Sequence, residues 1–93
     1  MEQNNAIFQK LETGEAVLLV TGIGYIVGIV EKNEAALFLG DVYINCLSAS
    51  RINRFSKGLT VNKDQVIGLQ KLTQQAKNEL IGAWQAAISP TAG

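Results

Sequence analysis

Ninety-three residues carrying eight basic and eight acidic side chains leave room for one domain, and they create no overall field that would draw in or repel a polyanion. At 47% hydrophobic and 17% charged residues, the chain is too apolar for disorder and poor in charge for a small monomer, so some apolar surface is expected to meet another subunit. There is no histidine and a single cysteine, Cys46, which excludes an internal disulfide framework and a cysteine zinc cluster and removes the commonest general base.

No cofactor and no enzymatic activity are therefore expected, and Cys46 reads as a small apolar residue. The amino terminus, Met1 to Asn5, has neither the positive region nor the apolar core of a secretory leader. Ala16 to Val30 is uncharged, but it falls short of the roughly 20 residues a spanning helix needs. It also contains Gly22, Gly24 and Gly28, so two buried strands are expected there and no membrane span. A reducing, cytoplasmic setting fits these features.

In chain order, Asn4 to Leu11 predicts a short helix, capped by Asn4 or Asn5, with Ile7, Phe8 and Leu11 on one face. Thr13-Gly14 ends it. Glu15 to Thr21 then reads as a first strand, continuous in Val17, Leu18, Leu19 and Val20 and closed by the turn Gly22-Ile23-Gly24. The centre of the chain is a hairpin. Tyr25 to Glu31 is rich in β-branched residues, Lys32-Asn33-Glu34 is a polar break, and Ala35 to Ile44 resumes the strand pattern. Gly28, in mid-strand, marks a place where the strand bends sharply or another backbone comes close.

From Asn45 to Gly58 the alternation of Leu47, Ala49, Arg51, Asn53 and Phe55 is weak, and part of it is expected to lengthen the third and fourth strands into a ribbon. Leu59 to Val61 predicts a fourth strand and Gln65 to Leu69 a fifth, around the tight turn Asn62-Lys63-Asp64. The period then changes. Leu69, Leu72, Ala76, Leu80, Ala83, Trp84 and Ala87 recur every three or four residues, with Gln74, Gln75, Lys77, Asn78 and Gln85 between them, and Ser89-Pro90 follows. An amphipathic helix appended over residues 70–88 is expected, covering either the mouth of its own barrel or a neighbouring subunit or partner.

An amino-terminal helix followed by five short, bent strands with a tight turn between the last two resembles the Sm/LSm family, which includes the bacterial RNA chaperone Hfq. The resemblance spans residues 4–69 of a single domain over residues 1–93. Its first motif is approximated by Gly28-Ile29-Val30, the turn Lys32-Asn33-Glu34 and the third strand through Leu37, Leu39 and Val42. Its second is approximated by Val61-Asn62-Lys63-Asp64-Gln65-Val66-Ile67. The short, eroded motifs are similar to those of phage and marine bacterial members.

The resemblance implies a mainly β fold, a five-stranded strongly bent barrel, and a homo-oligomeric ring of about five to seven copies closed by pairing of edge strands. It implies single-stranded RNA, or nucleic acid more broadly, as the partner, held at pore-facing turns by Lys32, Asn33 and Glu34 and by Asn62, Lys63 and Asp64. The departures matter. Ala35, Ala36 and Leu37 follow the first turn where the family carries an acidic, aromatic and amide pattern, and Asn62-Lys63 replaces its Arg-Gly pair, so backbone-directed binding fits better than uridine recognition.

A segment from Val42 to Lys63 holds Arg51, Arg54, Lys57 and Lys63 and no acidic residue, which adds Arg51, Arg54 and Lys57 as phosphate contacts at the rim. Tyr25, Tyr43 and Phe55 are stacking candidates only where they escape the core. Gly22-x-Gly24-x-x-x-Gly28 leads into a strand rather than a helix, so it is not a dinucleotide fingerprint. Glu31, Glu34 and Asp41 near the hairpin read as solvated carboxylates. The rival reading is a structural or adaptor ring that docks a partner through its last helix and binds no nucleic acid.

Overall fold

The computed structural model describes residues 7–46 and 52–88. Within them the chain forms six strands and one helix: β1 (Ala16–Thr21), β2 (Gly24–Asn33), β3 (Leu37–Cys46), β4 (Ile52–Phe55), β5 (Leu59–Val61), β6 (Val66–Leu72) and α1 (Gln74–Ile88). All ladders are antiparallel, in the order β4-β3-β2-β1-β6, with β5 pairing the same side of β3 as β4. The β-rich class is as expected. The sheet has six strands rather than five, and among the described residues it is open: β5 and β6 are joined by a 3-10 turn, Lys63–Gln65, and not by a ladder.

The hairpin at the centre is longer than its composition implies. Lys32 and Asn33 belong to β2, paired with Phe38 and Leu37, and the turn shifts to Glu34–Ala36. Two polar residues thus continue a strand because β3 supplies ladder partners and a buried Leu37 anchors the pair. Gly28 behaves as its position suggests. The register slips between Val27 and Ile29, and a Cβ at Gly28 would stand 3.0 Å from Leu39 Cβ, so only a bare Cα lets the two strands come this close.

β4 and β5 run in succession along one flank of β3, Asn45 to Val42 facing Ile52 to Phe55 and Leu39 to Leu37 facing Leu59 to Val61. This is the ribbon expected from the weak alternation, and residues 47–51 of it lie outside the described residues. One more residue separates Phe55 from Leu59 than separates Leu39 from Val42, so the ribbon bulges. Asp41 takes φ 49° and Gly58 φ 103° at the bulge, a left-handed conformation that Asp tolerates and Gly adopts freely.

Alternation sends Val17, Leu19, Ile26, Val30, Leu37, Leu39, Val42, Val61 and Val66 into one core with Phe8 and Leu11. Of the expected amino-terminal helix, residues 4–6 lie outside the described residues. Ile7–Lys10 form a turn closed by the Leu11 N–H on the Phe8 carbonyl at 3.2 Å. Phe8 is plugged into the core while Ile7 points out, 1% against 42% exposed, so the two do not share the single face expected of them.

β6 extends to Leu72, three residues past the expected boundary, because its ladder with β1 runs from Thr21↔Val66 to Ala16↔Leu72. Helix α1 follows at once, its first turn capped by Thr73 Oγ1 accepting the Ala76 N–H at 3.0 Å. It folds back against β1, β4 and β6 of its own sheet. Ile81 is buried, and the Trp84 ring stacks on Tyr25 with centroids 6.4 Å apart. Lys77, which the periodicity assigns to the polar face, is buried instead, 5% exposed. Its ammonium lies 3.8 Å from Asp41 Oδ2. The bulge that turns Asp41 out of the ladder gives that lysine its counter-charge.

Candidate nucleic-acid interface

The two turns implicated by the sequence meet at one end of the sheet. Pairing of Leu37 with Val61 sets the start of β3 beside the end of β5, and Phe8 bridges what lies beyond. Its carbonyl accepts the Asn33 Nδ2–H at 2.7 Å, and its ring carries the Lys63 ammonium at 5.0 Å from the centroid. Lys32 is exposed, with its Nζ 5.9 Å from the Phe38 ring centroid across the ladder. Lys32 and Lys63 have no salt bridge among the described residues.

The amides and acids of these turns have other work. Asn33 holds the amino-terminal turn in place, donating also to the Leu11 carbonyl at 3.4 Å, and its Oδ1 is buried with no partner. It is a brace rather than a free ligand donor. Asn62 Oδ1 accepts the Asp64 N–H at 3.0 Å and so caps the 3-10 turn. Glu34 and Asp64 are exposed, and the Glu34 N–H closes the hairpin on the Ala36 carbonyl at 3.1 Å. Each of the two polar segments thus carries one lysine and one exposed carboxylate with no salt bridge between them, and its lysine is the group left to meet phosphate.

The rim set divides. Arg54 is committed: Nη2 and Nε donate to Asp41 Oδ1 at 2.9 and 3.2 Å, and the guanidinium lies 5.1 Å from the Tyr43 ring centroid. The Asp41 hydrogen bond, with the nearby Tyr43 oxygen, pushes the Arg54 pKa up. Arg54 is therefore withdrawn from the set of free phosphate contacts. Lys57 is exposed and lines a cavity of about 300 Å³ with Glu31, Phe38 and Thr60. Arg51 lies outside the described residues.

Phe8, Glu31 and Phe38 escaped the sequence reading as site residues, because each depends on which strands pair. Of the stacking candidates, Tyr25 is partly covered by Trp84, Tyr43 by Arg54, and Phe55 is 39% exposed. Cys46 is half-buried with a free thiol at the end of β3. Where the sheet curls toward itself, Thr21, Ile23, Ile26, Ile44, Leu59 and Val61 line an apolar cavity of about 270 Å³. Among the described residues no cluster of His, Cys, Asp or Glu could hold a metal ion, and no helix is long and apolar enough to cross a membrane.

No protein-family model, no curated protein and no solved structure matches this chain.

Proposed function

We propose that this protein is an Sm-like, ring-forming protein that binds single-stranded RNA at the end of the sheet that carries Lys32 and Lys63, acting by binding rather than catalysis in the cytoplasm. The observation that carries the reading is the packing of both polar segments against Phe8, Asn33 on its carbonyl and Lys63 on its ring, which gathers them at one end of the sheet with Lys32 and Lys63 free of salt bridges among the described residues. A single neutral protomer offers weak attraction for a polyanion. A ring repeats the pair at every subunit, and a strand threading past collects all of them.

Assembly has its own support. β6 and the β4–β5 ribbon are the two sheet edges, and Ile67 on β6 is 74% exposed. Free edges with an apolar side chain are aggregation templates unless they are covered, and pairing the ribbon of one copy with β6 of the next covers both. Bends at Gly28 and at the Asp41–Gly58 bulge supply the curvature of a small barrel. The adaptor reading draws less support, because α1 already spends Ile81 and Trp84 on its own sheet.

The test is anisotropy of labelled short oligoribonucleotides titrated with salt, alongside a light-scattering mass. The wild type is expected to be a closed oligomer whose affinity falls with salt. Changing Lys32→Ala with Lys63→Ala flattens the log–log salt slope by about 1.4 per contacting protomer, about 0.7 for each lost phosphate contact. No binding at low salt, or a slope untouched by the double change, refutes the assignment.

A further inference from the structure

We infer that the cavity between Glu31, Phe38, Lys57 and Thr60 is a nucleobase pocket that selects guanine from the bound strand, a deepening that rests on the RNA-binding reading above. Its construction is unusual for an ordinary solvated strand face. Val30 pairs with Leu39 and Lys32 with Phe38, so Glu31 is the extra residue of a β-bulge, and bulges re-aim side chains. Here the carboxylate is turned along the sheet and lies across Gly40, where any Cβ would collide with it. Beside it lies a space of about 300 Å³ lined by Glu31, Phe38, Lys57, Gly58 and Thr60.

The lining supplies what base recognition needs. Phe38 is half-buried and offers a ring face that already attracts the Lys32 ammonium at 5.9 Å. A base stacked there takes the place of that cation and leaves Lys32 for the adjoining phosphate. The Glu31 carboxylate has no hydrogen bond or salt bridge among the described residues, so both oxygens are available as acceptors. An ionised carboxylate accepts hydrogen bonds and donates none, so on a base edge it pairs with N–H groups. Guanine presents two in line, N1–H and N2–H; uracil presents one, and adenine sets its amine beside an acceptor nitrogen. Lys57, exposed and also lining the cavity, offers a donor toward guanine O6 or a second phosphate. The cavity adjoins the turn site through Lys32, so one strand reaches both.

The probes are labelled oligouridylates with a central guanosine, inosine, adenosine or uridine, titrated by anisotropy into the full chain. The guanosine probe is expected to bind about tenfold tighter than all-uridine, with inosine, which lacks the second donor, in between. Glu31→Gln collapses the difference to within about twofold while all-uridine binding persists, and Phe38→Leu weakens the guanosine probe more than the all-uridine one. Circular dichroism checks that both variants fold, and Lys57→Ala repeats the test outside the ladder. If the wild type binds all four probes equally, or Glu31→Gln keeps the preference, the pocket is overturned and the RNA reading stands. If no probe binds at low salt, the RNA reading fails and the pocket fails with it.

Discussion

The buried lysine of α1 allows a stability test in which two removals of the same ion pair have unequal costs. Lys77 Nζ lies 3.8 Å from Asp41 Oδ2, its side chain 6% exposed against 36% for the carboxylate. Asp41 also holds Arg54 at 2.9 Å. Asp41→Asn removes the anion and leaves the ammonium buried without a counter-charge, while the amide keeps the side chain's shape and tolerates the left-handed φ of 49° at that residue. Breaking a buried pair in this way costs about 3–5 kcal/mol. Because Asp41 is more than a third exposed, about 2 kcal/mol is the better expectation, a fall of about 10 °C in Tm for a domain of this size. Lys77→Met instead removes the desolvated charge, keeps the apolar stem, and leaves Asp41 paired with Arg54. Its stability should lie within about 1 kcal/mol of the wild type. Urea unfolding of the three proteins at one fixed concentration reads both differences, since assembly would make midpoints concentration-dependent. If Lys77→Met destabilises as much as Asp41→Asn, the unsatisfied buried charge is not what matters, and the reasoning is wrong.

At Gly58, φ is 103° and an added Cβ would stand 2.5 Å from the Leu39 carbonyl oxygen, so Gly58→Ala should cost about 1–3 kcal/mol, measured as a lower urea midpoint with the m-value unchanged. Glu15 accepts the Glu12 N–H at 2.8 Å, and this bond, helped by Lys71 at 3.3 Å, lowers its pKa below 4.5. A lowered folded-state pKa favours the native state above the unfolded value and loses that contribution as pH falls through the folded one. Glu15→Gln should therefore flatten the acid limb of the stability profile below pH 4.5. Parallel acid limbs in the two proteins would show that the bond does not matter to folding.

Apolar runs and breakers were enough to place β1, the central hairpin, β5, β6 and α1, since each is a local pattern written in consecutive residues. What they could not place depends on partners far along the chain. Ile52 to Phe55 has no strong alternation, and it is a strand because β3 offers it a free edge. Lys32 and Asn33 look like a turn, and cross-strand pairing with Phe38 and Leu37 makes them strand. At the candidate site, the polar turns were legible as polar turns, whereas their meeting over Phe8 required a turn near the amino terminus to fold beneath both. Arg54 and Lys77 carry no sign in the sequence that one carboxylate, Asp41, would claim them both.

The ladder between β1 and β6, which joins Ala16 to Leu72, has a bearing on how the chain is made. As the polypeptide leaves the ribosome, Ala-Val-Leu-Leu-Val-Thr emerges early, pairs with β2 on one flank, and waits with its other flank bare until nearly the whole sheet has been synthesised. During that interval the most apolar strand of the molecule is a sticky seam open to other nascent copies. Slowing translation after the hairpin should increase misassembly, and a chain cut short before residue 66 should be recovered mainly as insoluble material.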